Sequence, residues 1–180
     1  MPDVLLTKDR LMVVLERLAD LLVSAEVRSR IYIVGGAAIT LAHGGRDATR
    51  DVDASLVPLD AIVQVAEKVA RQLELPADWL NAAASAFISP VKDDPSPVPI
   101  LRRGEVEIDA ASVETLLAMK IRASRPSLDG PDIAFLLRTA GLTTVDAAMA
   151  LYESYYPEDP LPRFASRLIE HALAGTQDET

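Results

Sequence analysis

The stretch "GGRDATRDVDASL", Gly44 to Leu56, decides the fold. Its second half alternates polar and apolar residues, which predicts a half-buried strand from about Arg50 to Leu56. Asp51, Asp53 and Ser55 then share one face, and Val52, Ala54 and Leu56 the other. Two carboxylates at alternate strand positions stand ~6.5 Å apart and repel each other. A divalent cation held between them turns the repulsion into attraction. Carboxylate oxygens of this kind suit Mg²⁺, which commonly takes one or two of them together with phosphate oxygens.

Reading outward, "IYIV" (Ile31 to Val34) predicts a short buried strand. Gly35 and Gly36 follow it, and "AAITLA" predicts a short helix ending at Gly44. Glycine lets a phosphate approach the backbone, and N–H groups at a helix start favour an anion. Taken singly, a Gly-Gly pair is an ordinary turn and Asp-x-Asp an ordinary solvated strand face. In this order and spacing they place a phosphate seat beside a metal seat.

Composition narrows the field. The chain has 180 residues, enough for one domain with a real core. Aromatics are 4%, so that core is mostly Leu, Val, Ile and Ala. There is no cysteine, which excludes disulfides, thiol nucleophiles and Cys-ligated zinc. Two histidines, His43 and His171, are too few for a His-rich metal site. A net charge of −9 argues against a broad nucleic-acid grip, which needs many phosphate contacts. No stretch has the pattern of a targeting signal or the length of a membrane span, so a cytoplasmic protein without membrane contact is expected.

Further elements follow from periodicity and caps. Thr7 caps a first helix carrying Leu11, Val14, Leu15, Leu18 and Leu22. Pro58 and Asp60 open another, to about Leu73. "ADWLNAAASAF" predicts a short helix capped by Asp78, and "SPVKDDPSPVP" a loop. "VPILRR" and "EVEIDAA" predict two strands joined near Gly104. Ser112 caps a helix from Val113 to about Arg125. Pro131, Thr144 and Leu161 begin the last three helices, with a stop at Gly141. The expected fold class is α+β, one domain over residues 1–180: a sheet-bearing part (1–112) and a helical C-terminal layer (113–175).

At this point "IVGGAAITLAHGGRDATRDVDASLVP" resembles the signature of the DNA polymerase β-type nucleotidyltransferase superfamily, and more closely its AbiEii-like, toxin-type bacterial branch. "ADWLNAAASAF", "LLAMKIRASRPSLDGPDIAFLL" and "YYPEDPLPRFASRLIE" extend the resemblance from about Ile31 to Leu168. It implies a small mixed sheet of nucleotidyltransferase type flanked by helices. It gives Gly35 and Gly36 the triphosphate, and Asp51 and Asp53 the metal, Mg²⁺ or Mn²⁺. The substrate is then a nucleoside triphosphate, the acceptor an RNA such as a tRNA end, and the partner a cognate antitoxin. The loop from His43 to Ala48 is longer than the usual spacing. Arg50 and Lys120 are candidate phosphate-neutralising cations.

The superfamily often adds a third carboxylate from a later strand. Glu107 or Asp109 would fill that role, and a solvated strand face explains them equally well. Lys120 stands out without the resemblance. It falls in the middle of the stripe formed by Val113, Leu116, Leu117 and Ile121, where an ammonium must be paired or must snorkel to the rim. In the resembled branch a lysine of a similar helix belongs to the active site. Asp132 fits either a helix start or, by the same resemblance, a catalytic acid. Asp129 reads as a turn residue, Trp79 as core, and Asn81 matches the branch without an assignable chemistry. The competing reading is a lapsed nucleotidyltransferase fold that binds a nucleotide or a protein without catalysis.

Overall fold

The quoted strand is the second-innermost of a five-stranded sheet in the computed structural model, which describes residues 5–125 and 127–175. The elements in order are β1 (Leu6–Thr7), α1 (Lys8–Ser24), β2 (Ser29–Val34), α2 (Gly35–Ala38), β3 (Ala48–Thr49), β4 (Val52–Val57), α3 (Leu59–Leu73), β5 (Leu80–Asn81), β6 (Val98–Arg103), β7 (Val106–Ala110), α4 (Val113–Ala123), α5 (Gly130–Thr139), α6 (Val145–Tyr155) and α7 (Ala165–Gly175). The expected α+β class holds. A π-helical turn, Ile39–His43, extends α2 to Gly44, and a 3₁₀ turn, Ala83–Phe87, follows β5.

The chain forms two compact units. One runs to Ala86 and adds Ser96–Ala111; the other comprises Phe87–Pro95 and the residues from Ser112 onward. In the first unit the sheet order is β5-β4-β2-β7-β6. β2 is antiparallel to β4 and parallel to β7, β4 is parallel to β5, and β6 is antiparallel to β7. Alternation decides the faces: Ile31, Ile33, Val52, Ala54, Ile108 and Ala110 are fully or almost fully buried, with α1 and α3 on the same side of the fold's core. β1 and β3 make a separate antiparallel pair, Leu6 opposite Thr49. This pair, unforeseen from the sequence, ties down the loop between the glycines and Asp51.

Three expectations are corrected here. The predicted helix over "ADWLNAAASAF" is instead β5 and a 3₁₀ turn. Val52 N donates to Trp79 O at 2.6 Å, and Leu80 and Asn81 pair with Val52 and Asp53. The edge of β4 supplies the partners that an alanine-rich helix would have supplied to itself. β4 starts at Val52, so Asp51 immediately precedes the strand. The last helix starts at Ala165 rather than near Leu161.

In the second unit α4 packs on α5 and α6, and α7 on α5 and α6. Ser112 caps α4 through Thr115 N, as its sequence position requires. The proline-rich loop as far as Pro95 belongs to this unit and is tied to it. Ser89 Oγ donates to Tyr155 O (2.7 Å), Lys92 Nζ to Ser154 Oγ (2.8 Å), and Asp94 Oδ2 accepts from Ser112 N (2.8 Å). Among the described residues, no helix is long and apolar enough to cross a membrane.

Candidate functional site

β2 ends at Val34, directly opposite Asp53 on β4. The antiparallel pairing therefore carries the Gly-Gly element to the start of β4, where the two acids lie. Gly35 takes φ +65°, a left-handed conformation that favours glycine, and a Cβ built there would lie 3.3 Å from Asp53 Oδ2. A Cβ on Gly36 would lie 3.0 Å from Thr49 Oγ1 and 3.3 Å from Arg46 Nη1. At both positions a Cβ would be in tight contact with its neighbours, and the surrounding groups are a carboxylate, a hydroxyl and a guanidinium.

Asp51 and Asp53 are both half-buried, while Val52 and Ala54 are fully buried. Asn81 brings the acids together: its Cα pairs with Asp53, and its Nδ2 donates to Asp51 Oδ2 at 3.4 Å. Gly35, Gly36, Asp51 and Asp53 thus occupy one place. Arg50 is exposed; the arginine beside the glycine turn is Arg46. Thr49 Oγ1 donates to Asp51 O at 3.3 Å and closes the loop.

Neither candidate third carboxylate joins this group. Asp109 stands opposite Tyr32, two residues before Val34 on β2, and accepts from Arg102 Nη2 at 2.5 Å. Glu107 is opposite Arg30 and lies 3.7 Å from its guanidinium. Among the described residues there is no group of three or more His, Asp or Glu side chains arranged to hold a metal. The acids gathered beside the glycine turn are the pair Asp51 and Asp53. A carboxylate pair is the kind of donor set that Mg²⁺ or Mn²⁺ could take, since such ions commonly complete their coordination with water and phosphate oxygens.

The second unit contains a different charged cluster. Lys120 is buried, as its place in the apolar stripe requires, and it is paired. Its Nζ lies 2.9 Å from Asp129 Oδ1 and 2.8 Å from Asp132 Oδ2. Asp129 is no plain turn residue. It is completely buried and accepts from Lys120 Nζ, Arg125 N (2.9 Å), Arg125 Nε (3.1 Å) and Arg125 Nη2 (3.0 Å). Burial pushes its carboxyl upward, but the hydrogen bonds from Arg125 and Lys120 and the lysine's charge outweigh it and hold the group below its ordinary range.

Two further arginines are engaged within their own units. Arg103 pairs with Asp20, and Arg122 with Asp159 at 2.8 Å. His43 Nε2 donates to Ala111 O at 2.8 Å, and His171 is exposed. Trp79 is fully buried with Nε1 donating to Ala66 O, in keeping with a core role. No protein-family model matches the chain, and neither the curated proteins nor the solved structures provide a match.

Proposed function

We propose that the protein is a metal-dependent nucleotidyltransferase that moves a nucleoside monophosphate from a nucleoside triphosphate to an acceptor hydroxyl. The observation that carries this reading is the Asp53 carboxylate lying against the left-handed Gly35, with Asp51 beside it. The resemblance to the AbiEii-like branch supports an RNA acceptor such as a tRNA end, and the role of a toxin with a cognate antitoxin.

In this reading Asp51 and Asp53 hold Mg²⁺ or Mn²⁺. Bound there, the metal would neutralise charge on the phosphates and assist ionisation of the acceptor hydroxyl. Gly35 and Gly36 offer backbone free of side chains to the triphosphate, and Arg46 is the cation nearest that turn. The acceptor oxygen bonds to the α-phosphorus, the bond to the bridging oxygen breaks, and pyrophosphate leaves as the hydroxyl gives up its proton. The chain supplies position and charge, which dominate phosphoryl transfer. Lys120 and Asp132 enter the proposal through the resemblance alone, since their charges already satisfy one another in the second unit.

The engagement of Asp109 by Arg102 and of Glu107 by Arg30 favours a second reading, a nucleotide-binding module without transfer. Incubation with each labelled nucleoside triphosphate, Mg²⁺ and total RNA separates the two. Label transferred to RNA, and absent with Asp53→Asn, supports the enzyme. Saturable nucleotide binding with no transfer to RNA, protein or small hydroxyl acceptors supports the module.

A further inference from the structure

Asn81 is tied at both ends of its side chain. Its Oδ1 accepts from Ala83 N at 2.9 Å, and its Nδ2 donates to Asp51 Oδ2 at 3.4 Å. The first bond fixes the orientation of the amide, because a backbone N–H can be met only by the oxygen. The NH₂ end therefore faces Asp51. The parallel register with Asp53 puts the same residue beside the second acid as well.

The chemistry of this partner sets Asp51 apart from Asp109 and Glu107. Asp109 is paired with the Arg102 guanidinium, which would compete with a cation, and Glu107 lies 3.7 Å from that of Arg30 at the surface. Asp51 is held instead by a neutral donor. A neutral amide restrains the carboxylate and lessens its repulsion from Asp53 while leaving its charge available to a metal. We infer that Asn81 is a positioning residue that orients Asp51 for a divalent cation. The inference rests on the carboxylate-pair reading of the site and adds a residue to it.

Two roles of Asn81 can be separated. Its oxygen shapes the turn into Ala83–Phe87, and its NH₂ serves Asp51. Asn81→Ser keeps a side-chain oxygen able to accept from the N–H two residues on, but is too short to reach Asp51. Asn81→Asp also keeps the acceptor and replaces the donor with a third carboxylate. The experiment titrates Mn²⁺ alone into the full chain, read by loss of the free-ion EPR signal, with melting temperature measured in parallel. Asn81→Ser is expected to melt near the wild-type temperature without metal and to bind Mn²⁺ roughly 10-fold more weakly, the usual scale for an outer partner of a metal ligand. Asn81→Asp is expected to melt lower without metal and to recover when Mn²⁺ is added.

Unchanged Mn²⁺ affinity in Asn81→Ser, with wild-type binding intact, overturns the role of Asn81 and leaves the metal site standing. If Asn81→Ser does not fold, a metal-free melting temperature of Asn81→Asp that is indifferent to Mn²⁺ overturns it. A wild-type chain that takes up no Mn²⁺ overturns the carboxylate-pair reading itself, and the inference with it.

Discussion

Lys120 and Asp132 meet at 2.8 Å with side chains only 9% and 3% exposed, so the lysine is held in the core by charge. Asp129 completes the arrangement from the same helix start. Removing one partner of a buried pair strands the other charge and costs about 3–5 kcal/mol. Lys120→Met, which keeps the apolar stem, should therefore fall in stability by that order, where a snorkelling lysine would lose little. Adding Asp132→Asn should restore part of the loss. Denaturant unfolding of the two variants checks both statements, and an unchanged midpoint in Lys120→Met would show the pair to be energetically idle.

Asp129 makes acid stability depend on this cluster. Its folded carboxyl is held below the ordinary carboxylate value, so between the folded and unfolded values the unfolded chain binds more protons. Its contribution is present above the unfolded value of ~3.9 and is lost as pH falls through the lower folded value. Stability should accordingly decline as pH drops from about 5 toward 3. Asp129→Asn should be less stable at neutral pH and flatter across that window. Parallel curves for the two proteins would place the acid-sensitive groups elsewhere.

How much of this was legible follows from where the information resides. The alternation of Val52, Ala54 and Leu56, the Thr7 and Ser112 caps, the helix start at Thr144, and the burial of Lys120 are local patterns, and each has its structural counterpart. β5 was not legible, because two residues carry no periodicity and "NAAASAF" has helical composition; its pairing comes from β4 across the sheet. Asp129 was hidden among Ser, Leu and Gly, a setting that describes a turn, and its real partners lie four and nine residues back. Asn81 had no readable role because the acid it serves is thirty residues away in sequence.

Gly35 offers a test of the turn itself. Its left-handed φ costs an L-residue about 1–2 kcal/mol, and the added methyl group would press on Asp53 Oδ2. Gly35→Ala should lower the melting temperature and weaken Mn²⁺ binding together. Gly36 has no positive φ, so Gly36→Ala carries no such backbone cost. It crowds Thr49 and Arg46 instead and should impair nucleotide binding more than Mn²⁺ binding. Equal effects of the two variants on Mn²⁺ would mean that the Gly35–Asp53 approach has no bearing on the metal.

The two acids themselves give the most direct test. Asp51 accepts from Asn81, Asp53 is the register partner of Asn81, and both acids are half-buried; two carboxylates at alternate positions repel when no metal lies between them. Asp51→Asn and Asp53→Asn each remove that repulsion while preserving shape. Each should be as stable as wild type or more so without metal. Each should also lose the rise in melting temperature that Mg²⁺ with nucleoside triphosphate gives the wild type, since a ligand stabilises only what binds it. Transfer of label should vanish in both. The stability readout separates function from folding: a functional acid is neutral or costly to the metal-free fold, and a structural one is not. A large loss of melting temperature in either variant would assign that acid to the fold rather than to the chemistry.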